Sequence, residues 1–176
     1  MATAPKPTKE SPSPIIPIYF TCVTDGVIPG QSNLLHIHAQ FSPEVQWSAN
    51  ILPQTGRIHT GKGIGPELQR SLSLKALPIS TAIRELSEWL ERFKGKRRAI
   101  TSCVAHWHLI YHMHQVLGET IPLLNNPIDT TSFWCGAKGD LSASPVGPRG
   151  KDPVRGFSQR RKLIEEAIEL AGEVKW

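Results

Sequence analysis

Apolar positions recur along this chain with two different periods, and each period predicts a different kind of element. Residues 17–24 (PIYFTCVT) form a run rich in β-branched and aromatic side chains. Residues 34–40 (LLHIHAQ) alternate, with Leu35, Ile37 and Ala39 set against Leu34, His36, His38 and Gln40. A period of two places alternate side chains on opposite faces of a strand. Asp25, Gly26, Pro29, Gly30 and Asn33 lie between the runs and supply turn chemistry. The stretch is predicted as an antiparallel hairpin at the centre of a sheet, on which the later elements pack.

A polar turn over 42–46 and a third, antiparallel strand over 47–52 follow. Residues 53–71 carry four glycines and two prolines, which predicts a long loop with short helical turns near 66–70. The period then changes to that of a helix. Over 81–93, Ala82, Ile83, Leu86, Trp89, Leu90 and Phe93 fall on one face. Ser80 or Thr81 is expected to cap its start and Gly95 to end it. A basic turn (KGKRR, 94–98), a short strand (99–104) and a second helix (106–117, with Leu109, Ile110, Met113, Val116 and Leu117 inward) come next. A last short strand is expected near 127–129. Residues 136–156 are rich in Gly, Pro, Ser, Lys and Arg, which predicts irregular structure. A final helix is expected over 158–171, closed by Gly172.

Composition narrows the picture only modestly. The chain has 176 residues, enough for one domain with a sizeable core. Residues 1–14 are mostly Pro, Ser, Thr, Ala and Lys, so they are expected to be a disordered tail ahead of a single domain over 15–176. No apolar run is long enough to span a membrane, and the N-terminus lacks the apolar core of a secretory signal. Three cysteines without a paired spacing suggest a reducing, intracellular setting, nuclear or cytoplasmic. A formal charge of +5 suits an anionic partner without specifying one.

The order of these elements and a series of short motifs resemble the DnaQ-like (DEDD) 3′–5′ exonucleases of the ribonuclease-H-like superfamily. The family's first strand reads roughly F-D-x-E-T-T-G, and Phe20, Thr24 and Gly26 stand at the matching places. Ile51-Leu52-Pro53, the Gly63-Ile64-Gly65 segment and Glu67-Leu68 keep the order of the following motifs. Ala105-His106 match the start of a-H-N-x-x-F-D, and Ile128-Asp129-Thr130 is similar to a D-T that ends the fifth strand. The likeness covers about 17–135 and fades after Gly136. Within the family it is nearest to degenerate members, such as the exonuclease-like region of the promyelocytic leukaemia protein. It implies an α/β fold: a ribonuclease-H-like (exonuclease-type) mixed sheet flanked by helices.

The same alignment removes the family's chemistry. Thr21 and Val23 stand where the two first-strand carboxylates belong, and Tyr111 stands where the helix Asp belongs. Of the last motif, H-x-A-x-x-D-A, only Glu166-Ala167 remains. The implied metals, Mg²⁺ or Mn²⁺, are hard cations that need carboxylate oxygens, which a hydroxyl and an isopropyl group do not replace. The resemblance therefore implies a catalytically inactive domain without a cofactor, serving as a nucleic-acid-binding or protein-interaction module. An active nuclease with rearranged ligands, Asp25 among them, and a purely structural scaffold are the alternatives.

Basic residues are the candidate phosphate contacts: Lys94, Lys96, Arg97 and Arg98 in one cluster, Arg160, Arg161 and Lys162 in another, with a third over 149–155. Single-stranded nucleic acid or a protein is the expected partner, and no membrane. Trp107, Phe133 and Trp134 are candidates for base stacking or for packing. His108 and His112, four apart on a helix, have a spacing able to chelate zinc, with His106, His114 and Cys103 close by, but they lack the intervening Glu of H-E-x-x-H. Surface histidines are the plainer expectation. His36 and His38 share a strand face and are expected to be edge or packed residues. Cys103 near His106 is read as an inert thiol, and the glycine-rich segment 61–65 lacks the setting of a phosphate loop.

Overall fold

The computed structural model describes residues 15–55, 70, 72, 74–101, 103–129 and 132. The hairpin forms as expected. Strand β1 (Ile15–Thr24) pairs antiparallel with β2 (Leu34–Gln40), with Phe20 opposite Ala39 and Cys22 opposite Ile37. Strand β3 (Gln46–Asn50) adds antiparallel to β2. Helix α1 (Ile79–Glu91) leads to β4 (Lys96–Thr101), which pairs parallel with β1, and helix α2 (Val104–Val116) leads to β5 (Ile128–Asp129), which pairs parallel with β4. The result is a mixed five-stranded sheet in the order β3-β2-β1-β4-β5, with β1 at its centre.

The apolar stripes explain the layering. Ile18, Phe20 and Cys22 of β1 face the same core as Ile37, Ala39, Ala49 and Ala99 from the neighbouring strands. Onto that face α1 delivers Ala82, Ile83, Leu86, Trp89 and Leu90, while α2 delivers Trp107, Ile110 and Met113. On the opposite face Tyr19, Ile100 and Ile128 form a smaller apolar group. Helix 158–171 and the helical turns of 66–69 lie outside the described residues.

Several boundaries differ from expectation, each for a local reason. Ser80 and Thr81 do not cap α1: the helix starts at Ile79 after Pro78, without a side-chain cap, and its first turn closes through the Ala82 N–H donating to the Pro78 carbonyl at 3.0 Å. Its end is at Glu91, ahead of Gly95, whose φ of 125° serves the turn into β4 instead. Strand β4 begins at Lys96 because Ile15, Ile16 and Pro17 need a parallel partner, and Lys96, Arg97 and Arg98 supply it. Strand β3 stops at Asn50, since Leu77 takes over beyond it: the Leu77 N–H donates to the Asn50 carbonyl at 2.8 Å and the Leu52 N–H to the Leu77 carbonyl at 2.9 Å. In α2, Val116 points to solvent and His114 is buried in its place.

Candidate functional site

Tyr19, Thr21 and Val23 alternate with the core residues of β1 and so share the sheet face turned away from α1 and α2. Strand register sets partners beside them. Thr21 stands opposite His38, which stands opposite Ser48; Val23 stands opposite His36, which stands opposite Asn50. This face is polar yet enclosed, with Thr21, His38 and Gln40 all buried. His36 Nδ1–H donates to Asn50 Oδ1 at 2.8 Å. Burial holds the imidazoles of both histidines below their ordinary pKa; the Asn50 bond opposes this at His36, and the neighbouring His36 adds to it at His38.

At the β1 positions that the resemblance assigns to the first-strand carboxylates, Thr21 and Val23 offer one hydroxyl and one isopropyl group, which do not fit a hard divalent metal. Tyr111 does not join them: it packs with the core on the helix face, its ring 6.4 Å from that of Trp107. Among the described residues, no group of three or more His, Cys, Asp or Glu is placed to hold a metal ion.

Asp25 is next to β1 but has a structural task. Its Oδ1 accepts the Asn33 backbone N–H at 2.6 Å, and its Oδ2 accepts the Asn33 side-chain N–H at 2.5 Å. The Asn33 Oδ1 accepts in turn from the Thr55 N–H at 2.8 Å and the Thr55 hydroxyl at 3.1 Å. Gln54 adds a second clasp, accepting from the Leu34 N–H at 2.8 Å and donating to the Leu34 carbonyl at 3.1 Å. Both oxygens of the Asp25 carboxylate therefore serve the hairpin.

The helix histidines separate by position. His108 is exposed and His112 is half-buried, its ring close to the Gly30 turn. His114 is buried between the helices: Nδ1–H donates to the Ile110 carbonyl at 2.9 Å, and Nε2 accepts from the Ser87 hydroxyl at 3.3 Å. Burial lowers its pKa, against the raising effects of the Ile110 bond and Glu119. Cys103 occupies the N-cap of α2, where the His106 N–H donates to its carbonyl at 3.0 Å, ordinary helix-start geometry. Cys22 is fully enclosed, and its thiol pKa is pushed far above the usual range, first by burial and then by Cys103. Trp107 belongs to the core, edge-on to Phe20 at 6.4 Å.

The basic candidates divide as well. Lys94 and Lys96 are exposed, whereas Arg97 and Arg98 are half-buried within or at the sheet. The Arg97 Nη1–H donates at 2.7 Å to the Leu90 carbonyl at the end of α1, which also accepts the Phe93 N–H at 3.2 Å. Lys96 pairs with Ile15, at the far end of β1 from Thr21 and Val23. Six residues of extended strand, from Ile15 to Thr21, put Lys96 roughly 20 Å along the sheet from Thr21. Arg160, Arg161, Lys162, the 149–155 cluster, the 61–65 segment, Phe133, Trp134 and Glu166 lie outside the described residues. Asp129 accepts from the Ser132 N–H at 3.3 Å and the Ser132 hydroxyl at 2.6 Å, a turn-capping role.

Sequence reading missed the Asp25–Asn33–Thr55 clasp, the Ser87–His114 link and the close of α2. That close is a Schellman motif: Gly118, at φ 69°, donates its N–H to the Gln115 carbonyl at 3.1 Å, and the Glu119 N–H reaches the His114 carbonyl at 2.8 Å. The Leu117-Gly118 pair after an apolar helix was the available signal for it.

No protein-family model matches this chain, and no curated protein sequence matches it. Solved structures do. One is the nuclease domain of 3′hExo, a DEDDh family member, determined bound to rAMP. It superposes with a TM-score of 0.54 over 90% of this chain and 92% of its own, at 10% sequence identity. The chain thus has the α/β, ribonuclease-H-like fold of exonuclease domains. Among the described residues, no helix is long and apolar enough to cross a membrane.

Proposed function

We propose that the chain is a degenerate DEDD-type exonuclease domain, spanning 15–176, that has lost catalysis and acts as a binding module for single-stranded nucleic acid. The observation that carries this reading is the β1 face, where Thr21 and Val23 lie beside His38 and His36 while Asp25 is committed to Asn33. A metal pair needs several carboxylate oxygens around one point, and this face supplies none from β1. The basic excess supports binding, with Lys94 and Lys96 the exposed contacts among the described residues. Of these, Lys96 pairs with Ile15, at the opposite end of β1 from Thr21 and Val23. The narrower kinship with the exonuclease-like region of the promyelocytic leukaemia protein, and an intracellular, nuclear or cytoplasmic setting, belong to the same proposal.

The test is a gel shift with single-stranded DNA and RNA at rising salt. Phosphate contacts release counterions, so affinity should fall steeply with salt and without regard to sequence. Lys94→Glu with Lys96→Glu should weaken binding to all sequences alike, and Arg160→Glu with Arg161→Glu should do so independently. Arg97 is a poor probe, because it is half-buried in β4 and its side chain also ties β4 to the Leu90 carbonyl at the end of α1. No shift at low salt would reject nucleic acid and favour a protein partner or a scaffold.

A further inference from the structure

The parallel register of β1 and β4 brings two thiols, distant in sequence, toward one another. Ile18 stands opposite Ala99 and Phe20 opposite Thr101, and Ile18, Phe20 and Ala99 belong to the core beneath the helices. Continued by two residues, that offset sets Cys22 beside Cys103. Cys22 belongs to the same core. Cys103 follows β4 in extended backbone, at φ −151° and ψ 107°, before α2 begins. The Thr101 hydroxyl holds it there, accepting the Cys103 N–H at 3.3 Å and donating to the Cys103 carbonyl at 3.1 Å. A period of two assigns Cys103 to the face of Ala99, which is also the face of Cys22. Neighbouring strands lie about 4.8 Å apart, within the Cα separation of roughly 4.4–6.8 Å that a disulfide spans. The two groups also sense each other electrostatically, since Cys103 adds to the effect of burial in raising the Cys22 pKa. Both are free thiols.

We propose that Cys22 and Cys103 are the two halves of a reversible disulfide, formed when the chain meets a peroxide. Burial divides the roles. Cys22 is enclosed and held as a neutral thiol, whereas Cys103 is only half-buried and is the sulfur that a small oxidant reaches. The Cys103 sulfur attacks one peroxide oxygen: the O–O bond breaks, an S–O bond forms, and water leaves. The Cys22 sulfur then attacks the sulfur of the Cys103 sulfenic acid. An S–S bond forms, the S–O bond breaks, and the Cys22 proton departs with the hydroxyl as a second water. The two thiols lose two electrons and the peroxide gains them. A dithiol reductant reverses the step by thiol–disulfide exchange. The bond ties the end of β1 to the start of α2, and it forms whether or not the chain binds nucleic acid.

The test treats the full, reduced chain with hydrogen peroxide, removes the excess with catalase, and blocks the remaining thiols with N-ethylmaleimide in urea. Digestion with trypsin and a Glu-specific protease then separates the three cysteines, because Glu119 lies between Cys103 and Cys135. The expected result is a Cys22 peptide joined to a Cys103 peptide, lighter than their sum by two hydrogen atoms, in a chain that stays monomeric on a non-reducing gel. Dithiothreitol should release the two peptides. Cys135→Ser should keep the link. Cys22→Ala should lose it and leave Cys103 as a sulfenic acid that dimedone traps. Should Cys22→Ala fail to fold, the peptide map of the unmodified chain decides alone. Cys22 recovered with N-ethylmaleimide attached, while Cys103 has become a sulfinic acid or is joined to Cys135 or to a second chain, overturns the proposal.

Discussion

Asn33 is fully buried, and its amide ties the first hairpin to the exit of β3 through Asp25 and Thr55. Removing its side chain deletes the hydrogen bond to the half-buried Asp25 carboxylate and those from Thr55, which costs about 1–3 kcal/mol. Asn33→Ala should therefore lower the unfolding free energy in urea by that amount, with no change in the denaturant slope. The buried histidines make a second statement at this scale. His36, His38 and His114 all have folded pKa values below the ordinary 6.5. Between the folded and unfolded values the unfolded chain binds more protons, so their contribution is complete above about pH 6.5 and is lost as pH falls through the depressed folded values. Urea midpoints measured from pH 7.5 down to 5 should fall, and His114→Gln should flatten part of that fall. That Thr21 and Val23 bring no carboxylate to this face was legible in the residues themselves. The commitment of Asp25 was not, because its partner lies eight residues away across a turn whose path only tertiary structure sets.

At the scale of elements, the hairpin and both helices were legible because period two and period 3.6 follow directly from which face is buried. Leu86 and Leu90 of α1 are fully buried. Leu86→Ala or Leu90→Ala should cost about 2–5 kcal/mol, read from urea melts. Val116, by contrast, is 66% exposed, and its replacement by Ala should stay within about 0.5 kcal/mol. Gly118→Ala should cost roughly 1–2 kcal/mol, since the close of α2 needs a left-handed residue there. What pattern reading got wrong at this scale came from tertiary demands. Lys96, Arg97 and Arg98 look like a turn by charge, yet β1 recruits them as a strand, and their aliphatic stems allow it. His114 is turned inward because Ser87 and the Ile110 carbonyl satisfy both ring nitrogens, so a polar side chain occupies a place that the apolar stripe assigned to Val116.

For the whole molecule, the strand order and the likeness to an exonuclease domain agree with the motifs read along 17–135, although only 10% of residues are shared with the structural neighbour. A fold survives such divergence because its core needs volume and periodicity more than identity. A metal site does not, because each ligand atom must be present. Single-turnover degradation of a labelled single-stranded oligonucleotide, with protein in excess and Mg²⁺ or Mn²⁺ present, is the direct test of the proposal that this fold has lost its hydrolytic centre. Metal-ion stabilisation supplies several kcal/mol of the barrier reduction, and each 1.36 kcal/mol is about tenfold in rate. The expected result is no cleavage above the protein-free control over hours, for DNA or RNA. Metal-dependent shortening from the 3′ end that copurifies with the chain, and that is abolished by Asp25→Asn in a protein that still folds, would contradict it and make Asp25 a ligand in a rearranged site.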